Sequence, residues 1–200
     1  SQRSAIWLAY TMGLRRGEAL GLRWSDIDEQ RMMVTIHRQM TRHGVVAVKT
    51  QASDAELPIT APVLLYLLEW RDVQIQQLRN AWTRDTYVCT NENGAAFKNN
   101  FNRGLRHYFV SHGMGEWVVD DDGKKHYRGA TLHSLRHTYA TSLVRAGVDI
   151  HTAKALMRHA RIQTTLDIYA DAENSTMRDA AVSHALHIAS DADTGGSRPR

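Results

Sequence analysis

Apolar residues gather from Ala5 onward. SAIWLAYT reads as a helix already under way, closed by Gly13, as in a domain cut from a longer protein. RRGEALGLRW reads as a second short helix and WSDIDEQ as a turn. β-Branched and apolar residues then gather in RMMVTIH, HGVVAVKT and AELPIT, with QASD as a turn before the last. Three short strands this close predict one small antiparallel sheet. APVLLYLLEWRDVQIQQLRNAW has the pattern of a long amphipathic helix, with Pro62 in the first turn, where a missing N–H is tolerated. RDTYVCTNENGA is a loop with Asn-Gly turn chemistry, and FKNNFNRGLRHYFVSHG is helical and basic. EWVVDDDGKKHYRGA predicts a hairpin around Asp-Asp-Gly. Two helices follow: TLHSLRHTYATSLVRAG, ended by Gly147, and DIHTAKALMRHA, with Asp149 as N-cap. IQTTLDIYADA predicts a short helix or turn, STMRDAAVSHALHIAS a separate last helix, and DADTGGSRPR a frayed tail. The expected class is α+β, mainly α-helical with a small three-stranded antiparallel sheet.

Composition adds a little. A length of 200 residues suits one well-filled domain, and no apolar run is long enough to span a bilayer. The formal net charge of +4 favours a polyanionic partner, nucleic acid first, without proving one. A single cysteine, Cys89, excludes an intrachain disulfide framework and fits a reducing cytoplasm.

Several positions carry candidate chemistry. In LHSLRHTYATSLVRAG, Leu132, Leu135, Tyr139, Leu143 and Ala146 share a face and predict the core stripe. His133 and Arg136, three apart, flank it side by side. An imidazole beside a guanidinium at a buried edge needs an anion, either an acidic side chain or a ligand. His133 and His137 have metal-ligand spacing, but Ser134 stands where a zinc hydrolase needs a glutamate. No metal or cofactor is expected. Arg15 and Arg16 lie at a Gly-marked break between helices. A helix start disfavours a cation unless an anion is near, which Glu18 or a bound phosphate supplies. Lys49 ends a strand beside a turn, where lysines usually serve as solvated edge residues. Tyr169 is equally ambiguous on local sequence, because most tyrosines are packing residues.

Order and spacing narrow these choices. GLRRGEALGLRW, VKTQASDAELPIT, LHSLRHTYAT and LMRHARIQTTLDIYAD together resemble the tyrosine recombinase (phage integrase) catalytic domain, from about Ala5 to Ala172. The resemblance implies six catalytic side chains: Arg15 with Glu18 as its acidic companion, Lys49, His133, Arg136, His159 and Tyr169. Two departures stand out. Arg158 replaces the small residue of a Leu-Gly-His pattern, and Ser134 stands where aspartate is common. Neither removes a catalytic group.

The implied chemistry is transfer at a DNA phosphodiester. Arg15 and Arg136 clamp the non-bridging oxygens, and His159 donates a further bond. Tyr169 attacks, His133 accepts or relays its proton, and Lys49 protonates the leaving 5′-oxygen. A 3′-phosphotyrosine and a free 5′-hydroxyl result, and rejoining needs neither ATP nor metal. In the basic helix, Lys98, Asn99, Asn100 and Arg103 are candidates for reading bases, or for phosphate contacts only. The resemblance implies double-stranded DNA as partner, a homotetramer on two duplexes with a monomer allowed without DNA, a bacterial cytoplasmic setting, and an N-terminal DNA-binding region outside these residues. Residues 1–174 form the catalytic domain, 175–190 a C-terminal helix and 191–200 a flexible tail. Met177, Ala181, Ala185 and Ile188 share a face of that helix, which either folds back or docks on a neighbouring subunit. Rival activities are a type IB topoisomerase-like relaxing enzyme and a catalytically silent DNA-binding module.

Overall fold

Gly13 ends α1 (Gln2–Met12) with a φ of +61°, which glycine adopts without a Cβ clash. A Cβ there would lie 2.5 Å from Tyr139 Cδ1, so the chain turns tightly against a helix more than a hundred residues away. A computed structural model describes residues 2–47, 55–91, 93–97 and 100–194, with side chains in the last helix described to position 184 apart from 175–176 and 179–180. After the turn comes α2 (Arg16–Gly21), then a 3-10 turn at Trp24–Asp26.

The three-stranded antiparallel sheet is present, but its membership differs from the expected one. Its order is β1 (Ile27–Asp28), β2 (Met33–Ile36), β5 (Ala55–Pro58), with Val34 opposite both Ile27 and Leu57. Val34, Ile36 and Leu57 all face the core, as a period of two requires. The two residues of β1 come from the stretch read as a turn. The described part of HGVVAVKT is not in this sheet. It supplies β4 (Gly44–Ala47), which among the described residues pairs with β3 (Arg38–Thr41). Val45 and Val46 are exposed, so their apolar character does not mark a core strand. The hairpin instead lies on α2. Gly17 and Gly21, four apart, present no side chain there, and a Cβ at either would come within 3.0–3.1 Å of the β3 backbone.

α3 (Ala61–Leu78) and α4 (Phe101–Ser111) complete the main core with α1 and the sheet. Leu8, Leu20, Leu67, Phe101 and Phe109 are fully buried together. The expected hairpin is β6 (Gly115–Val119) with β7 (Lys125–Gly129), pairing Trp117 with Tyr127. α5 (Leu132–Arg145) runs along α1. Leu132 is buried and Leu135, Tyr139 and Leu143 partly so, but Ala146 at the helix end is exposed; Arg136 and Ala140 share the buried face. α6 (Ile150–Met157) starts at Asp149, whose carboxylate accepts from the His151 and Thr152 amides at 3.0 and 3.1 Å. The last two predicted elements are one helix, α7 (Gln163–Thr194). No glycine or proline interrupts it, and it also takes in the start of the expected frayed tail. Ala140, Met157 and Ile168 form a second small core where α5, α6 and α7 meet. Among the described residues no helix is long and apolar enough to cross a membrane.

Candidate active site

The corner between α1 and α2 holds the first arginine. Glu18 Oε2 accepts the Arg15 amide at 2.7 Å, satisfying a donor that the helix start leaves open. Glu18 Oε1 accepts Arg15 Nη1 at 2.8 Å. Glu18 is therefore the anion beside Arg15, one of the two expected alternatives. Arg15 Nη2 donates to the Arg158 carbonyl at 2.9 Å. The Glu18 side chain is sealed, while that of Arg15 is 43% exposed. The guanidinium is thus held from behind and open in front.

Arg136 reaches the same corner from α5. Its side chain donates to the Gly13 and Met157 carbonyls. It is 4% exposed and makes no hydrogen bond to a carboxylate among the described residues. A guanidinium has five N–H donors, and two here are committed. Burial, then the neighbouring charges of Arg15 and Arg158, push its pKa down to about 9. An arginine at that value is still charged at neutral pH; the charge of Glu18 acts upward but is outweighed by burial and the two arginines. Glu18, by contrast, is held below the usual carboxylate range. Its burial acts upward, but the charge of Arg158 and hydrogen bonds from Arg15 and Arg158 outweigh it.

His159 follows the C-terminus of α6. Its Nδ1 lies 3.0 Å from the hydroxyl of Thr165, a buried residue in the first turn of α7. Burial, then Arg136, Arg15 and Arg158, push the ring down to about 4. It is neutral at pH 7 and donates through one nitrogen. In the tautomer whose Nδ1 accepts from the Thr165 hydroxyl, that nitrogen is Nε2.

Tyr169 is not joined to these groups. It lies two turns into α7, and its hydroxyl donates to the Val148 carbonyl in the α5–α6 connection. Burial, then the charge of Asp149, raise its pKa, so the phenol is protonated at neutral pH. It lines an open groove with Val144, Val148, Ala172 and Met177. His133 and Arg136 also separate. Arg136 turns inward, while His133 is exposed beside Arg16, Asn102, Arg106 and Tyr127. His133 makes no hydrogen bond or ion pair among the described residues, and Arg136 pairs with carbonyls. A structural ion pair with an acid, one of the two expected explanations for this pair, is therefore not what forms. Ser134 closes a capping box with Thr131, at 3.0 and 2.8 Å, and so fixes the start of α5 rather than His133. No three His, Cys, Asp or Glu side chains among the described residues could hold a metal.

Lys49, Lys98 and Asn99 lie outside the described residues. Asn100 precedes α4, and Asn100 and Arg103 are both exposed. Asn102, on the same helix, accepts from Arg16 Nε at 2.9 Å. The structure thus gathers Arg15, Arg136 and His159 at one corner and leaves Tyr169 and His133 at its edges. Sequence reasoning missed Thr165, Thr131 and the part played by Arg158. Only Arg158 had a signal, as a bulky residue in place of a small one.

Comparisons with known proteins bear on the family and the fold. A family model described as the phage integrase family matches residues 1–176. The ICEBs1 integrase of Bacillus subtilis (strain 168) is 27% identical over 169 residues, covering 81% of this chain and 42% of that protein. A tyrosine recombinase XerC-like protein of Caldanaerobacter subterraneus subsp. tengcongensis is 27% identical over 189 residues, covering 84% and 44%. The chain therefore spans less than half the length of these two relatives. The Tn1549 transposon integrase, solved in complex with a circular intermediate DNA, superposes with a TM-score of 0.64 at 21% identity, covering 88% of this chain and 57% of that one. With a family match over most of its length, this chain belongs to the phage integrase family.

Proposed function

We propose that this chain cleaves and rejoins double-stranded DNA at a specific site, with Tyr169 as nucleophile. The observation that carries the reading is Arg136: a buried guanidinium depressed by burial and by two neighbouring arginines, which among the described residues hydrogen-bonds to two carbonyls and to no carboxylate. A phosphodiester is the anion such a corner suits. Arg15 presents an open guanidinium to it, and neutral His159 adds an Nε2 donor without competing for the proton of the nucleophile. The Tn1549 relative, solved on DNA, supports the choice of ligand.

In the reaction the Tyr169 oxygen bonds to phosphorus and the bond to the 5′-oxygen breaks. The phenolic proton passes to His133 or through it to solvent. The 5′-oxygen takes a proton from Lys49. Before this, the Tyr169 hydroxyl leaves the Val148 carbonyl and turns toward the arginines. The exposed face of α4, with Asn100 and Arg103, and the nearby Lys98 and Asn99 contact the duplex. Exchange requires four protomers on two duplexes. The α7 extension from about Ser175 docks on a neighbour; among the described residues Met177 and Val182 are 62% and 55% exposed, apolar surface that a neighbour can cover. A bacterial cytoplasm suits this activity. The test is a nicked suicide substrate built on the DNA that flanks the gene. Covalent attachment supports cleavage, and Holliday junctions on intact sites separate recombination from relaxation alone.

A further inference from the structure

Arg158 occupies a place that does not favour it. Its backbone is left-handed, with φ 53° and ψ 44°, at the C-cap of α6. Glycine adopts this freely, whereas other residues hold it at a cost of about 1 kcal/mol or more. Only 2% of the side chain is exposed. The guanidinium donates to Glu18 Oε2 at 2.6 Å, to the Leu156 carbonyl at 3.0 Å and to the Gly13 carbonyl at 3.3 Å, and its Nε is buried without a partner. Its own carbonyl accepts Arg15 Nη2. Arg158 therefore touches both things that hold Arg15, and it shares the Gly13 carbonyl with Arg136.

Charge shows what this contact does. Were Arg15 the sole partner of Glu18, the pair would be nearly neutral toward an approaching anion. Arg15, Arg136 and Arg158 against Glu18 leave a net of two positive charges in the corner; without Arg158 one remains. The charge of Arg158 is also the strongest of the influences that hold the Glu18 carboxyl low, ahead of the Arg15 hydrogen bonds. We propose that Arg158 is a positioning residue: it takes up the Glu18 carboxylate and braces Arg15, so that Arg15 meets the scissile phosphate with its charge uncancelled. This rests on the reading of Arg15 and Arg136 as a phosphate clamp.

The test uses Arg158→Gly, Arg158→Met and Arg158→Lys, with Arg136→Ala as a control on the clamp. Glycine suits the left-handed backbone, methionine keeps bulk without charge, and lysine keeps charge without the fork. Inorganic sulfate is the probe. Its affinity for the folded protein should fall about tenfold in the Gly and Met variants. The His159 ring, followed by NMR, should titrate higher in both, because one of the charges acting on it is gone. Cleavage of a suicide substrate at saturating DNA should slow about tenfold or more, so the loss lies in kcat rather than KM. Lysine should restore the His159 titration and most of the sulfate affinity, a rescue that a packing role does not give. A folded Gly or Met variant with unchanged sulfate affinity and unchanged His159 titration overturns the proposal. So does failure of all three variants to fold, which would make Arg158 a structural residue. If Arg136→Ala also leaves sulfate binding intact, the clamp itself is wrong; if it alone matters, the clamp stands and the role of Arg158 falls.

Discussion

Lowering the pH from 7 to 5 should destabilise the protein through His159. In the unfolded chain this imidazole has its ordinary pKa of 6.5, and in the folded one about 4. The unfolded state therefore takes up a proton that the folded state refuses. Stability is intact above 6.5, is lost as pH falls toward 4, and changes no further below that. Integrating between pH 7 and pH 5 gives ~2 kcal/mol. The ring is only partly buried, and screening by water reduces this to about 1 kcal/mol. Urea unfolding at the two pH values measures it, and the difference between the parent and His159→Gln removes the contribution of the other histidines. Sulfate supplies a second arm. It stays charged over this range, and in the corner it offsets the arginines that add to burial in holding the ring neutral. It should therefore stabilise the parent more at pH 5 than at pH 7, and His159→Gln equally at both. Parallel losses in parent and variant would show that the fold does not hold His159 neutral.

Arg15→Ala and Arg136→Ala should each slow cleavage by ~10²–10³ or more, the usual effect of removing a preorganised donor, in single-turnover assays on a suicide substrate. Gly13→Ala should destabilise the fold by about 2 kcal/mol, because a Cβ meets Tyr139 at 2.5 Å and φ is +61°. Thermal unfolding reads this, and cleavage should fall with it, since the Gly13 carbonyl holds Arg136. Truncation after Asn174 should leave the thermal transition of the core intact, because Met177 and Val182 touch little of it, while assembly on DNA measured by gel shift weakens.

Local sequence revealed most helices because their ends are chemically marked. Gly13, Gly147 and Asp149 stop or start helices as their backbone freedom or side-chain acceptor requires. The sheet was harder to read. Ile27 and Asp28 are two residues inside turn-like sequence and become a strand only by pairing with β2. The valines of β4 are apolar yet exposed, so hydropathy placed them in the wrong sheet. Continuity of α7 through Glu-Asn-Ser-Thr was obscured by residues that favour helix ends without enforcing them. At the site, the family resemblance named Arg15, Arg136 and His159, and the fold brings those together. Their electrostatic state was not legible. It depends on Arg158 meeting Glu18 across 140 positions of chain, a contact that no local pattern encodes.

The claim on which the account depends is that Tyr169 makes the bond to DNA. Digesting the adduct formed on a suicide substrate and mapping it by mass spectrometry addresses this directly. The expected product is a peptide carrying a 3′-nucleotide on Tyr169, absent from Tyr169→Phe although that variant binds DNA with nearly parental affinity. A nucleotide on any other residue, or adduct at the parental level from the Phe variant, would contradict the account.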